Sequence, residues 1–329
     1  WRRVMNNKIK IGIVGYGNLG QGAELAINQN PDMELIAIFT RREPNSLDTE
    51  SKVENISNIL DYKDKIDVMI LCGGSAKDLD EQGPMVAEYF NTVDSFDNHG
   101  RIPEYFDKIN GVSSKSKNLS LISIGWDPGL FSLNRLLGQC VLPNGRDYTF
   151  WGNGVSQGHS DAIRRIKGVK NGVQYTVPVK EVLDKVRNCE DINVPPCERH
   201  KRICYVVCED NEDLNRIENE IRIMPNYFAG YDTSISFISE EELKINHSKM
   251  PHGGFVIRTG NTGLDTKQKM EFNLTLESNP EFTSSVLVAY ARAVHRMACE
   301  GKTGAITIFD VPLGYLSPKT GEELRKELL

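Results

Sequence analysis

Residues 9–20 read Ile-Lys-Ile-Gly-Ile-Val-Gly-Tyr-Gly-Asn-Leu-Gly, an apolar β-type run that feeds directly into Gly15-x-Gly17-x-x-Gly20. A helical pattern follows from Asn18 to about Asn30. Strand, glycine turn and helix in that order mark a phosphate-binding turn, whereas three scattered glycines would not. Gly15 permits the tight turn, Gly17 leaves room for a pyrophosphate, and Gly20 lets helix and strand pack closely. The helix N-terminus adds free N–H groups and partial positive charge. Tyr16, Asn18 and Leu19 complete the loop. The chain therefore opens with a dinucleotide-binding unit of the Rossmann type.

The next strand, Glu34–Thr40, identifies the nucleotide. A unit that binds NAD usually carries an acid at this strand's end for the ribose 2′-hydroxyl. Here Thr40-Arg41-Arg42 stands instead. Guanidiniums form paired, charge-assisted hydrogen bonds with phosphate oxygens, so a 2′-phosphate and hence NADP is expected. The alternative is a solvated Arg pair, and Glu43 is placed to pair with either one.

With 329 residues, the chain exceeds one such unit, and two domains are expected. We expect residues 1–125 to form the dinucleotide-binding domain, with 300–329 packing back on it, and 126–299 to form the second domain. No apolar run is long enough to span a bilayer and no signal-peptide pattern is present, so no membrane role is expected. The seven cysteines lack metal-type spacing; Cys204 and Cys208 share one strand-like run and read as buried reduced thiols, which points to the cytoplasm. A net charge of −6 argues against general nucleic-acid affinity. Trp1–Val4 precede Met5 and read as an appendage to the natural start.

Further strands are expected at 66–72, 92–99 and 119–124, alternating with helices at 82–90 and 103–115. That spacing describes a doubly wound parallel sheet. The loop Cys72-Gly73-Gly74-Ser75 lies at a strand's carboxyl end, where open α/β sheets place ligands. A helix is expected from Pro128 to Leu142. Strands at 172–177, 201–209, 232–239, 254–259 and 270–277 then alternate with helices near 179–188, 210–223 and 281–299. The fold class is α/β, an N-terminal Rossmann doubly wound parallel sheet with a second α+β domain.

Asp97 and Asp127 each follow a predicted parallel strand at its carboxyl end. Two carboxylates there suit an amine substrate, because they attract the ammonium and then stabilise an iminium. Asp94 competes with Asp97 for this role, and Asp127 has the alternative of capping the helix after Pro128. The second Gly-rich stretch, Trp151–Asp161, offers donors to polar ligand groups, while Ser160 or Asp161 could cap a helix over 161–166. Arg202 and His252 are suited to carboxylates, although either could be an ordinary surface or loop residue. No His or Cys pair has ligand spacing, so no metal site is expected.

These stretches together resemble the meso-diaminopimelate D-dehydrogenase family. The resemblance is carried by Val14–Gly20, Val93–His99, Gly125-Trp-Asp-Pro-Gly129, Phe150–Asp161, Val173–Thr176, Met250-Pro-His-Gly-Gly254 and Asn279-Pro-Glu-Phe282, in order over nearly the whole chain. It implies a homodimeric NADP enzyme of lysine and diaminopimelate biosynthesis. Such an enzyme reversibly deaminates the D-centre of meso-2,6-diaminopimelate to L-2-amino-6-oxopimelate, which cyclises to tetrahydrodipicolinate, with release of ammonium. By the same resemblance Asp97 and Asp127 hold the D-centre amine. Trp126 and Trp151 line the pocket, Gln157 and Gly158 contact the substrate, and Thr176, Arg202, His252 and Asn279 fix its carboxylates and distant L-centre.

Overall fold

The computed structural model describes residues 8–75 and 77–329, so Trp1–Val4 lie outside the described residues. The chain divides into two units. One runs up to Leu133 and resumes at Pro280; the other spans 134–279.

The first unit is built on seven parallel strands. In chain order the first six are β1 (Ile9–Val14), β2 (Met33–Thr40), β3 (Val53–Asn55), β4 (Val68–Leu71), β5 (Asn91–Asp94) and β6 (Leu119–Leu121). The closing strand Gly304–Ile306 adds to the edge beyond β6, and the spatial order from there is β6, β5, β4, β1, β2, β3. All these pairings are parallel, so every carboxyl end lies along one margin of the sheet. Both faces are apolar, as a sheet covered on two sides requires. Ile9, Ile11 and Ile13 pack with Ala23 and Ile27 of one helix and with Val286, Leu287 and Tyr290 of another. Val14, Phe39 and Met69 face Leu79, Val86, Tyr105 and Ile109.

The chain returns to this sheet earlier than the sequence suggests. Helix Asn279–Cys299 was expected in the second domain, but most of its length packs on the first sheet because it is apolar nearly all round. It also buries Arg292, 1% exposed, in a fork against Asp32: Nε–Oδ2 is 2.6 Å and Nη2–Oδ1 is 2.7 Å. The same guanidinium donates to the Leu316 carbonyl at 2.7 Å, fastening the tail. The helix expected from Pro128 instead begins at Leu130. Residues 125–129 are a tight turn in which Gly129 adopts φ +130°, a conformation that favours glycine.

The second unit holds two sheets. Its strands are β7 (Gly145–Trp151), β8 (Gly154–Val155), β9 (Val169–Pro178), β10 (His200–Cys208), β11 (Asp232–Phe237), β12 (His252–Asn261) and β13 (Lys267–Leu276). One sheet has the order β11, β10, β9, β8 and the other β13, β12, β7. Ile163, Cys204, Val206, Ile217 and Phe228 form the core on one face of the four-stranded sheet.

Burial pulls the Asp32 carboxyl up, but its hydrogen bonds to Arg292 outweigh that and hold it below the usual carboxylate range. Its contribution to stability is therefore complete at neutral pH and is lost as acid titrates it below that range. We expect Arg292→Met to destabilise the protein by about 3 kcal/mol at neutral pH in urea unfolding, because a buried pair is broken on one side. A loss under about 1 kcal/mol would place this pair with ordinary exposed ones.

Candidate active site

Along the carboxyl margin of the first sheet, the loops after adjacent strands are sewn to one another. The Asp94 side chain at the end of β5 is 1% exposed and accepts three hydrogen bonds. These come from the Phe96 N–H at 3.0 Å, the Ser123 N–H at 3.0 Å and the Tyr105 hydroxyl at 2.9 Å. Asp94 thus ties the end of β5 to the loop beyond β6. The Asp97 N–H in turn donates to Ser75 Oγ at 3.0 Å, joining the loops after β4 and β5. This geometry separates the two competing acids: Asp94 is turned inward by its donors, and Asp97 is exposed.

Asp127 is half-buried in the turn beyond β6. The neighbouring Trp126 ring meets Phe131 edge-on at 5.1 Å. The Phe131 N–H donates to the Trp126 carbonyl at 2.8 Å, so the turn and the start of the helix hold each other. Asp97 and Asp127 therefore stand on loops at the carboxyl ends of adjacent strands, as the sequence indicates.

The glycine turn has the features that the approach of a pyrophosphate needs. Gly15 has φ +91°, and a side chain at Gly20 would collide with the Gly15 carbonyl. A Cβ at Gly17 would meet nothing within 4 Å, which leaves the approach to the helix open. That helix, Asn18–Asn28, has no side-chain cap from Gly17 and no acid in its first turn. Tyr16 donates its hydroxyl to Glu24, and its carbonyl accepts from Arg42. Thr40 Oγ1 accepts from the Arg42 N–H at 3.1 Å. The sequence left open a pairing of Glu43 with either arginine; in the structure Arg41 pairs with Asp78 at 2.6 Å. Cys72, Gly73 and Gly74 follow β4, with the Cys72 N–H on the Val14 carbonyl at 2.8 Å. Among the described residues no group of three or more His, Cys, Asp or Glu is arranged to hold a metal ion.

In the second unit, sheet register assembles the other predicted residues. Gly154, Thr176, Arg202 and Thr233 lie in one row across β8, β9, β10 and β11. Arg202 points to the same face as Cys204 and Val206, and is 7% exposed. It donates to Thr176 Oγ1 and lies 4.1 Å above the Tyr231 ring. Its Nε finds no acceptor, and no carboxylate pairs with it among the described residues. Burial pulls its guanidinium below the ordinary range, as expected for a cation without an anion. A Cβ on Gly154 would sit 2.6 Å from the His252 ring, so glycine allows that ring to approach the row.

Gln157, Met250 and Asn279 form a second link: Gln157 Nε2 is 3.1 Å from the Met250 sulfur, and the Asn279 N–H donates to the Met250 carbonyl at 2.9 Å. The Trp151 N–H donates to His200 Nε2 at 2.9 Å. Burial pushes His200 down to about 4, which keeps it neutral and able to accept. The expected helix over 161–166 instead spans Gln157–Arg164. Ser160 and Asp161 are inside it rather than capping it, with Ser160 Oγ on the Ser156 carbonyl at 2.7 Å and Asp161 paired with Arg164. Gly158 is exposed in its first turn, with open space where a side chain would extend.

Sequence reasoning passed over Tyr231 beneath Arg202, Gly154 beside His252 and Asp78 on Arg41. For Arg202 a signal did exist: the alternation Arg202, Cys204, Val206 places it on the apolar face of its strand.

Comparison with known proteins follows the same outline. Residues 125–278 match the model of the diaminopimelic acid dehydrogenase C-terminal domain. The meso-diaminopimelate D-dehydrogenase of Ureibacillus thermosphaericus is 62% identical, covering 98% of this chain and all of its own. A sixfold mutant of meso-dapdh from Clostridium tetani E88, crystallised with DAP, is 63% identical with a TM-score of 0.94, covering 98% of this chain and 100% of its own. An engineered D-amino acid dehydrogenase bound to NADP+ is 42% identical with a TM-score of 0.89, at the same coverage.

Burial pushes the Asp94 carboxyl up to about 6 against the resistance of its backbone and Tyr105 donors. The folded state then holds this proton more tightly than the unfolded chain, so stability falls as pH rises from about 4 to about 6 and levels off above that. We expect Asp94→Asn to flatten this part of the stability profile in urea titrations at several pH values. An unchanged profile would assign the dependence to another group.

Proposed function

The chain belongs to the meso-diaminopimelate D-dehydrogenase family, and from that premise we propose that it is an NADP-dependent enzyme that deaminates the D-centre of meso-2,6-diaminopimelate. The products are L-2-amino-6-oxopimelate, ammonium and NADPH, and the reaction is reversible. One observation carries the reading: Arg202 is buried with its Nε free and no acid beside it. A protein leaves a guanidinium in that state for an incoming anion, since an unpaired buried charge is costly. The substrate's carboxylates are such anions.

On this reading Thr176, Arg202, His252 and Asn279 hold the carboxylates and the L-centre. Trp126, Trp151, Gln157 and Gly158 line the remainder. The six residue types replaced in the Clostridium tetani protein (Gln, Thr, Arg, Pro, His and Asn) recur here in the same order and spacing as Gln157, Thr176, Arg202, Pro251, His252 and Asn279. That correspondence supports treating them as one set. Asp97 and Asp127 take the D-centre amine. Their negative charge gathers the ammonium, one carboxylate or an ordered water removes its proton to free the lone pair, and once hydride has left the carbon the remaining carboxylate charge stabilises the iminium. Water then adds to the iminium carbon and ammonia leaves.

For the nucleotide, Gly15–Gly20 would hold the pyrophosphate, Cys72–Ser75 would line the site, and Thr40, Arg41 and Arg42 would take the 2′-phosphate. When bound, the nicotinamide accepts the substrate's hydride. A sugar or semialdehyde dehydrogenase would share the first unit, yet acids occupy the strand-end loops here. NADP and seven free cysteines both suit the cytoplasm.

Incubating the protein with meso-diaminopimelate and NADP at alkaline pH should raise the near-ultraviolet absorbance of reduced nicotinamide. A flat trace from folded protein that binds the nucleotide would overturn the reading. Asp127→Asn should cost about 10²–10³ in kcat/KM, as loss of an electrostatic stabiliser does. Arg202→Met should chiefly raise KM for the diacid and leave nucleotide affinity unchanged.

We also propose that the protein is a homodimer joined through the second unit. There Leu137 and Val141 are exposed on a helix whose Gly138 packs against the Arg258 side chain of β12. Leu137→Glu should convert dimer to monomer in light scattering, and a native protein that is already monomeric would remove this proposal.

A further inference from the structure

Asp78 immediately precedes helix Leu79–Ala87, the position where an aspartate ordinarily accepts from its own helix's first N–H groups. It makes no such cap. Its carboxylate is turned away to two partners. Oδ2 accepts from the Gly74 N–H at 3.1 Å, and Oδ1 reaches Arg41 Nη2 at 2.6 Å across 37 residues of chain. Backbone packing fixes Asp78, since a side chain at Gly73 would come within 2.7 Å of its Cβ. Arg41, by contrast, is 67% exposed and can exchange one partner for another. The other guanidinium of the pair, Arg42, gives one N–H to the Tyr16 carbonyl.

We propose that Asp78 sets how strongly the protein favours 2′-phosphorylated over unphosphorylated nucleotides, by competing for Arg41. The proposal rests on reading Thr40–Arg42 as the 2′-phosphate site. A phosphate arriving there must draw Arg41 away from a fixed carboxylate and settle beside that carboxylate's negative charge. Both effects oppose the phosphorylated nucleotide and neither touches the unphosphorylated one. Because the pair is exposed, phosphate still wins, being the stronger bidentate acceptor. Asp78 is therefore a specificity-tuning residue. It holds affinity below what two arginines alone would give, which favours release of the nucleotide after turnover.

The test is direct binding, by calorimetry on the full-length protein without substrate, using 2′,5′-ADP and 5′-AMP as probes. Asp78→Asn should bind 2′,5′-ADP about two- to fivefold more tightly than the unaltered protein, the range set by the worth of an exposed pair. The gain should shrink as salt is raised, and 5′-AMP affinity should not change. Asp78→Ser should behave alike. A merely structural role for Asp78 would weaken binding of both probes, so unchanged or weaker 2′,5′-ADP binding by both variants overturns the proposal. Arg41→Leu keeps the two readings apart. If it abolishes the preference for 2′,5′-ADP while Asp78→Asn changes nothing, only the role of Asp78 falls. If it leaves the preference intact, the 2′-phosphate assignment itself falls. Adding Asp78→Asn to Arg41→Leu should produce no further tightening, and a persistent gain there would also overturn the competition.

Discussion

The buried carboxylate of Asp94 is the interaction on which the strand-end loops of the first unit depend. Parallel strands deliver their carboxyl ends to one margin but do not by themselves position the loops beyond them. Asp94 does so by accepting from the N–H of Ser123 and of Phe96, which fixes the path of both loops. Phe96 then stacks on Tyr105 at 4.1 Å, and the next residue, Asp97, is left facing outward. A carboxylate in so dry a place is costly unless its lone pairs are filled. Three donors fill them here, so the residue that resembles a catalytic acid serves as the scaffold for its neighbour.

The second unit applies the opposite rule to a charge of opposite sign. Arg202 lies on the apolar face of its strand, donating to a threonine hydroxyl and lying over an aromatic ring. Asp94 is fully satisfied from within; Arg202 is not. A buried group with all its partners is structural, and a buried ion that lacks one is the feature on which the proposed substrate site rests. The same contrast separates two arginines of the first unit. Arg292 is held by Asp32, Asn30 and Leu316, while Arg41 is itself exposed and, among the described residues, pairs with Asp78 alone.

The sequence made the parallel sheet legible because apolar runs, glycine turns and helical periodicity are local signals. It was less informative where the decisive contact was distant. The partner of Arg41 is an example: Glu43 is close in sequence, but Asp78, on the loop after β4, is close in space. The helix over 157–164 was anticipated four residues late because Gly158 sits inside its first turn, against its intrinsic preference. The start of the return to the first unit was misjudged for a similar reason. Helix Asn279–Cys299 reads alike wherever it packs, and only the surfaces available to it decide.

What the chain determined by itself was the glycine turn between its first strand and helix, the alternation that builds the sheet, and the presence of acids and of an arginine pair at the strand ends. These depend on residue type and spacing of a few positions, which backbone geometry converts directly into structure. Tertiary structure decided which acid faces inward, which guanidinium stays unpaired and which aspartate pairs with Arg41. Each of those outcomes is a balance between desolvation and a partner many residues away, and that balance exists only once the chain has closed on itself.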